Sequence, residues 1–246
     1  MKIVKLGGSV ITYKEKYKAV NFKHLRNLCK ILAENDEKKI LIHGAGSFGH
    51  IQAMKASLDK PGPIRGKESP ISRVITDMSE LNSLIADELN KYGVRAISIP
   101  PHAIYKGYRS DFGVVDLVLN NGFVPLLYGD IVLSKGRYRI ISGDEIALDL
   151  SRKFAPDSVL FVTDVDGLYD SDPKANKKAK LIPSIFSKDI SVVDTGKDAT
   201  GSMAGKMERI KKMVLYTNRV VILNGKKPDR LLAALRGEGT RSTVIT

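Results

Sequence analysis

The sequence predicts an α/β fold in which an open, mostly parallel sheet is sandwiched between helices. Apolar strands alternate with helical patterns along the whole chain, and strands buried on both faces are typical of parallel sheets. Glycine-rich turns follow several of these strands, at the carboxyl ends where α/β sheets bind ligands. The 246 residues contain no repeat and no clear linker. We therefore expect one domain, with an N-terminal lobe of about residues 1–155 and a C-terminal lobe of about residues 156–246.

The first half of the chain is predicted to begin with a strand and to continue with helices and strands in alternation. Asn21 precedes the first helical pattern and is a candidate N-cap, while Gly93 follows the longest pattern and is a candidate C′ residue. Proline, glycine and charged residues dominate 59–70, which predicts a loop. The predicted elements are strands at 2–6, 39–44 and 94–99 and helices at 21–35, 46–56 and 71–92.

The second half shows the same alternation around one predicted hairpin. Residues 130–142 are typical of a β-hairpin that turns at Lys135 and Gly136. The other predicted elements are strands at 123–129, 158–163, 219–225 and 242–246 and helices at 112–121, 143–154, 203–217 and 228–236.

The composition indicates a cytoplasmic protein without internal disulfides. Its single cysteine, Cys29, lies in a helical pattern with leucines, so we expect a buried structural thiol rather than a nucleophile. No apolar run reaches the length of a membrane span, and the N-terminal sequence MKIVKLGGSVIT lacks the apolar segment of a signal peptide. We therefore expect no membrane partner.

The net charge of +13 has three interpretations. Nucleic-acid binding would use lysine and arginine side chains as phosphate contacts. A lysine-rich solvated surface is the simpler interpretation, because basic residues are spread along the chain and the densest cluster, 174–180, has no interleaved aromatic residue. A positive field would also draw in small polyanionic substrates. We expect no nucleic-acid partner.

Four turns beside the predicted strands and helices are suited to phosphate binding. KLGGS (5–9) follows the first strand, and HGAGSFGH (43–50) follows the second. DVDGLYDSDP (164–173) follows the strand at 158–163, and DATGSMAGK (198–206) opens a helix. Glycines allow a close backbone approach to a phosphate, and lysines add point charges. Four such turns exceed what one dinucleotide requires.

Two common nucleotide-binding motifs do not fit. The spacing of Gly44, Gly46 and Gly49 suggests a dinucleotide site, but the acidic residue about 20 positions later, Glu68, lies in the predicted loop. A Walker A motif needs four residues between its glycines, whereas residues 201–206 have three. The sequence therefore favours neither a Rossmann site nor a P-loop.

The ordered set of motifs resembles the amino acid kinase superfamily over the whole chain: KLGGS, HGAGSFGH, SGD before a helix, TDVDGLY-x-x-DP and DATGSMAGK. Within it, the SFGH ending resembles the isopentenyl phosphate kinases, whereas acetylglutamate kinases share only the KxGG and HGxG turns. The resemblance implies ATP, Mg²⁺, isopentenyl phosphate as the acceptor and a homodimer. The alternative is another small phosphate, phosphonate or carboxylate acceptor on the same scaffold.

The resemblance also implies a nucleotide side and an acceptor side that meet at the transferred phosphoryl group. The nucleotide side would be formed by Lys5, Gly7, Gly8, Ser9, Gly46, Asp164, Gly167, Gly201, Ser202 and Lys206. The acceptor phosphate would be contacted by Ala45, Gly46, His50 and Gly143. The residues that would act in phosphoryl transfer are Lys5, Lys14, His50, Asp144 and Lys206.

Charge neutralisation accounts for these residue types. Phosphoryl transfer depends mostly on positioning and electrostatic stabilisation, and a phosphate monoester is already ionised near neutral pH, so no catalytic base is needed. The resemblance implies that Lys14 assists the transferring group and that Asp144 aligns Lys5 and Lys206 by ion pairing. We expect ATP phosphates to hold most of the Mg²⁺ coordination and name no protein ligand.

His50 would distinguish the acceptor. As a phosphate ligand it would donate a hydrogen bond, more strongly when protonated; the alternative is a histidine packed at the helix start and satisfied by backbone. The acceptor tail is expected to be short and apolar. Four residues of the long helix either line its pocket or belong to the ordinary core: Ile71, Val74, Ile75 and Met78.

Three positions depart from the family pattern. Ala45 and Ser202 stand where glycine is frequent, and Glu145 stands where the SGDD motif has its second aspartate. Alanine is small, so we expect the turn at Ala45 to survive, whereas a serine at position 202 could alter the phosphate contact. None of these departures removes a charged catalytic group.

Overall fold

A computed structural model of the chain describes residues 1–171, 173, 175–192 and 202–246. The strands of the described part are β1 Lys2–Leu6, β2 Lys39–His43, β3 Gly62–Pro63, β4 Ala96–Ser98, β5 Tyr105–Lys106, β6 Arg109–Ser110, β7 Val124–Tyr128, β8 Asp130–Ser134, β9 Arg137–Ile141, β10 Ser158–Thr163, β11 Leu168–Tyr169, β12 Leu181–Ile182, β13 Ser184–Ile185, β14 Val220–Asn224 and β15 Ser242–Ile245. The helices are α1 Gly8–Ile11, α2 Phe22–Ala33, α3 Gly46–Lys55, α4 Glu68–Lys91, α5 Pro101–Ile104, α6 Gly113–Asn120, α7 Gly143–Phe154, α8 Ser202–Met213 and α9 Pro228–Arg236, with a 3-10 helix at Ser187–Val192.

An eight-stranded sheet forms the centre of the molecule, in the order β13-β15-β14-β10-β1-β2-β7-β4. Its strand pairs are parallel except β14 with β15, which confirms the predicted open, mostly parallel sheet. Leu6 at the end of β1 is level with His43 of β2 and Val162 of β10. The carboxyl ends of these three strands therefore meet at one edge, where the glycine-rich turns begin.

Side-chain alternation along β1 separates two core layers. Val4 and Leu6 belong to the layer that packs against α2 and α4, whereas Ile3 belongs to the layer that packs against α7 and α8. Successive residues of a strand point to opposite faces, so Lys5 lies on the α7 and α8 side. The alternation of side chains along β1 thus directs Lys5 toward α7, which carries Asp144, and α8, which carries Lys206.

Helix ends follow the predicted local signals. The side chain of Asn21 accepts a hydrogen bond from the His24 N–H at 3.3 Å, and the side chain of Ser142 accepts one from the Glu145 N–H at 3.1 Å. Gly93 follows α4 with a φ of 85°, in the left-handed region that favours glycine. The predicted capping roles of Asn21 and Gly93 are confirmed.

Most predicted elements are confirmed, with shifts at some ends. Helix α4 begins at Glu68, inside the predicted loop, because Pro70 is tolerated in a first turn. The helix predicted at 203–217 ends at Met213, and the strand predicted at 94–99 shortens to three residues. The elements missed are α1, α5, β3, β5, β6, β11, β12, β13 and the 3-10 helix. They have two to six residues, too few to show a periodicity.

Cys29 is fully buried in α2, as predicted. Burial raises the pKa of its thiol to about 12, so the neutral, unreactive form dominates. Among the described residues, no helix combines the length and the apolar character that crossing a membrane requires.

Candidate active site

The first two glycine-rich turns pack backbone to backbone at the sheet edge. A Cβ on Gly8 would lie 2.3 Å from the nitrogen of Gly46, and a Cβ on Gly44 would lie 2.9 Å from the nitrogen of Gly8. Gly46 has a φ of 50°, and its Cβ would meet Thr12 Oγ1 at 2.3 Å. Only glycine fits at these positions. The glycines that the sequence suggests for phosphate binding are therefore also required for contact between the two turns.

Thr12, which the sequence analysis did not identify, links these turns. Its hydroxyl donates to the Gly8 carbonyl at 2.8 Å and accepts from the Ser47 N–H at 3.0 Å. A hydroxyl can donate and accept at once, so this side chain joins α1 to the first turn of α3. A single threonine after an apolar pair forms no motif, and only the folded structure reveals its role.

A buried carboxylate lies between two lysines. Asp144 stands in the first turn of α7, with Oδ1 2.9 Å from Lys5 Nζ and Oδ2 3.7 Å from Lys206 Nζ. Both ammonium groups also lie near the ring of Phe161, 6.0 and 5.5 Å from its centroid. Strand β1 and helices α7 and α8 thus bring together residues that are far apart in the chain. The predicted ion pairing of Asp144 with both lysines is present.

Burial and ion pairing set the charge states of this group. Burial raises the pKa of Asp144, but the charges of Lys5 and Lys206 outweigh it and lower that pKa to about 2. Burial, aided by repulsion from Lys5, lowers the pKa of Lys206 to about 8, against the attraction of Asp144. A buried lysine that titrates near neutral pH is typical of a functional site.

Asp164 connects the first glycine turn to the turn after β10. Its Oδ1 accepts a hydrogen bond from Ser9 Oγ at 2.9 Å, and its Oδ2 is 3.7 Å from Lys14 Nζ. Asp164 therefore lies beside two residues expected at the phosphates, and its contact with a nucleoside stays a prediction. The Lys14 side chain is 55 % exposed, so its ammonium group is accessible to a ligand.

His50 is exposed on α3. Surrounding protein atoms nevertheless desolvate the imidazole, and this burial, together with the charges of Lys5 and Lys14, lowers its pKa below 6.5. These two observations agree if the ring lies in an open recess. Within the described part of the chain His50 makes no hydrogen bond to protein, so the backbone-satisfied alternative is wrong. The lowered pKa favours the neutral ring at pH 7, and a neutral imidazole offers one donor and one acceptor.

Ala45 and Gly143 stand at the starts of two helices beside the site. Ala45 precedes α3, and its Cβ lies where a side chain on Gly49 would come within 2.8 Å of it, which explains the glycine at position 49. Gly143 opens α7, and a Cβ there would lie 3.4 Å from Lys5 Cε. Their contact with an acceptor phosphate stays a prediction.

Asp166 braces the turn after β10, a role that the sequence did not predict. It accepts hydrogen bonds from Arg230 at 2.6 Å, from Arg241 at 2.8 Å and from Asn224 at 2.9 Å. Burial raises its pKa, but these bonds and the charge of Arg230 lower it to about 2. The carboxylate thereby fastens the turn after β10 to β14 and α9. The DVDG motif signals a turn there but does not show which aspartate braces it.

The other nucleotide-side glycines also fit tightly. A Cβ on Gly7 would lie 2.7 Å from a carbonyl oxygen of β10, and a Cβ on Gly167 would lie 2.3 Å from Thr243 Oγ1. Gly201 lies outside the described residues, and so does the side chain of Ser202, the first residue of α8. Their predicted phosphate contacts stay predictions.

The apolar residues proposed for a tail pocket pack mostly in the core. Ile71, Val74 and Met78 are at most 4 % exposed and belong to the α2 and α4 layer. Ile75 is half-buried at its margin. The first three residues therefore belong to the core, and the contact of these helix residues with an acceptor tail stays a prediction.

Known proteins resemble this chain in sequence and in structure. The Amino acid kinase family matches residues 1–224. The isopentenyl phosphate kinase of Thermoplasma acidophilum is 37% identical over 94% of this chain and 94% of its own, and that of Methanothermobacter thermautotrophicus is 32% identical over 100% and 99%. A crystal structure of the T. acidophilum isopentenyl phosphate kinase product complex gives a TM-score of 0.88 at 33% identity over 100% of both chains. The chain belongs to the amino acid kinase family and, within it, to the isopentenyl phosphate kinases.

Proposed function

We propose that the protein transfers the γ-phosphoryl group of ATP to isopentenyl phosphate and releases isopentenyl diphosphate and ADP. An oxygen of the acceptor phosphate bonds to the γ-phosphorus while the bond to the β–γ bridging oxygen breaks. The observation that carries the proposal is the group formed by Lys5, Asp144 and Lys206. The exposed His50 lies near enough to Lys5 for that charge to lower its pKa. The relatives named above identify the acceptor.

The lysines neutralise the charge that spreads over the transferred group. Lys5 and Lys206 are mostly buried and share one carboxylate, so they are held in place before the substrates bind. Fixed charges in a poorly solvated site stabilise a transition state without reorganisation at the moment of reaction. Lys14 adds a third, more accessible charge.

His50 suits an acceptor that is already ionised. A neutral imidazole donates one hydrogen bond to a phosphate oxygen and adds no positive charge to a site that already contains three lysines. An acceptor phosphate carries its own nucleophilic oxygen, so His50 need not remove a proton. We assign it to binding and orienting the acceptor.

We expect Mg²⁺ to enter the site as a complex with ATP. Among the described residues no group of three or more His, Cys, Asp or Glu converges to hold a metal, and Asp144 is already engaged by two lysines. This donor set fits an ion that keeps several waters and binds mainly phosphate oxygens. When bound, Mg²⁺ would neutralise charge on the β- and γ-phosphates.

A panel of acceptors with one ADP-release readout tests the proposal. The panel contains isopentenyl phosphate, a longer isoprenoid phosphate, an alkyl phosphonate and an amino acid. We expect ADP release that depends on isopentenyl phosphate and a diphosphate product identified by mass. A folded protein that turns over another acceptor but not isopentenyl phosphate contradicts it.

We also propose a cytoplasmic homodimer that binds neither nucleic acid nor membranes. These expectations come from the sequence and its family resemblance. Light scattering after size-exclusion chromatography measures the subunit number, and a mass equal to one chain would contradict the dimer.

A further inference from the structure

A buried carboxylate outside the site described above anchors the segment that carries Lys14. Asp77 lies within α4 and is 0 % exposed. Its Oδ2 accepts a hydrogen bond from Tyr17 Oη at 2.5 Å, and its Oδ1 lies 3.2 Å from Lys18 Nζ and 3.1 Å from Arg73 Nε. Two of these three partners belong to the segment 13–19, between α1 and α2.

Such a carboxylate is stable only with its partners. A buried charge without hydrogen bonds or counter-ions is strongly destabilising, so Asp77 and its partners stabilise one another. Lys18 also pairs with Glu80, one helical turn further along α4. The segment is thus fastened to α4 at two consecutive residues, Tyr17 and Lys18.

Within the segment, backbone contacts form only a short turn. The Tyr13 N–H donates to the Ala19 carbonyl at 2.9 Å, and the Lys16 N–H donates to the Tyr13 carbonyl at 3.1 Å. Lys18 adopts a φ of 54°, a left-handed conformation that is uncommon for lysine and that its ion pairs help to maintain. Lys14 lies at the exposed tip of this turn, so its position depends on the anchor.

The same helix reaches the acceptor side at the next residue. A Cβ on Gly49 would lie 2.8 Å from Met78 Sδ, so Met78 packs against the turn of α3 that carries His50. Asp77 and Met78 therefore connect the Lys14 segment and the His50 helix to one rigid element, α4.

We propose that Asp77 is a positioning residue for phosphoryl transfer, which fixes the segment 13–19 on α4 and so orients the Lys14 ammonium group. This inference rests on the proposed function and on the role of Lys14 in it. Asp77 does not touch the reacting atoms, and its effect must pass through Lys14.

A double-mutant cycle tests this route. Displacements of about 1 Å reduce rates by as much as ~100-fold, so we expect Asp77→Asn to lower kcat by ~10–100-fold. In a Lys14→Ala background, the same change should lower kcat less than about twofold, because the group it positions is absent. Asp87→Asn, an exposed change on the same helix, is the matched control and should leave kcat unchanged.

Two further measurements distinguish an effect on the position of Lys14 from a general loss of folding stability. Tyr17→Phe removes the hydrogen bonds of this hydroxyl with Asp77 and Arg73 but keeps the carboxylate. It should show the same dependence on Lys14 with a smaller effect. Hydrogen exchange should become faster in residues 13–19 of Asp77→Asn while the β1 and β2 amides stay protected. The positioning role is wrong if Asp77→Asn and Tyr17→Phe lower kcat by the same factor in the wild-type and Lys14→Ala backgrounds. It is also wrong if hydrogen exchange becomes faster throughout the protein.

The outcomes also separate this inference from the proposed function. A wild-type protein inactive on isopentenyl phosphate contradicts the function, and the cycle is then measured with the acceptor that the panel identifies. An active wild type with an additive cycle contradicts the role of Asp77 alone.

Discussion

The carboxylate of Asp144 lies 2.9 Å from the ammonium group of Lys5, although the two residues are far apart in the chain. The same carboxylate faces Lys206. One negative charge thus keeps two like charges close together in a poorly solvated site. Removal of this carboxylate is expected to lower the pKa of Lys206 further, because Asp144 raises it.

The pH dependence of the reaction should report the pKa of Lys206. This pKa is lowered from 10.5 to about 8, and the protonated form is the one that neutralises phosphate charge. We expect kcat/KM, which reports groups of the free enzyme, to fall as the pH rises through about 8. Asp144→Asn removes an interaction that raises this pKa, and should move the decline to lower pH. Lys206→Arg should move it to higher pH; a profile unchanged by either variant would contradict the assignment.

His50→Ala should weaken the acceptor step and leave ATP binding intact. The loss of one hydrogen bond to a charged group predicts an increase in KM for isopentenyl phosphate of ~10–100-fold. Steady-state kinetics with each substrate varied in turn measures the effect. His24→Ala, at a half-buried position on α2, is the control. Equal effects on both substrates would remove His50 from the acceptor side.

Gly8→Ala should disrupt the contact between the first two glycine-rich turns. The new Cβ would lie 2.3 Å from the Gly46 nitrogen, so the two backbones must separate. Overpacking of this kind costs ~1–3 kcal/mol in the free energy of unfolding, and activity should fall with it. Urea denaturation measures the first effect. Gly239→Ala, which has no atom within 4 Å of the new Cβ, should change neither; wild-type stability in Gly8→Ala would contradict the contact.

Asp166 should contribute to stability in a defined pH range. Its pKa is lowered in the folded protein from 3.8 to about 2, so its contribution is complete above about pH 4 and is lost as the pH falls toward 2. The shift corresponds to ~2 kcal/mol. Asp166→Asn should lower the free energy of unfolding at pH 7 by about this amount and flatten its decline in acid. Asp59→Asn, at an exposed position, is the control. If the free energy of unfolding of Asp166→Asn falls in acid as steeply as that of the wild type, the prediction is wrong.

Local patterns were sufficient to predict the elements that position the site. Strands β1, β2 and β10 are apolar runs that are buried on both faces, and α7 combines a polar cap at Ser142 with an apolar stripe. The ordered motifs also placed Lys5, His50 and Asp144 in one functional group. Short elements such as α1 were not predictable, because four residues do not show a period.

The partners of individual side chains were not predictable. Asp77 is a charged residue within the apolar pattern of α4. From the sequence alone, such a residue is expected to be exposed to solvent. It is buried because Tyr17 and Lys18 fold back over it. Thr12 and Asp166 likewise gain their roles from residues that are distant in the chain.

The sequence by itself determined the α/β class, most helix and strand positions, the order of the glycine-rich turns and the family. These features depend on neighbouring residues and on motifs read along the chain. Only the tertiary structure decided that the glycines fit turn against turn, that the pKa of His50 is lowered and that the pKa of Lys206 is about 8. Packing and pKa depend on atoms and charges that β1, α3, α7 and α8 bring together, and no local pattern specifies those distances.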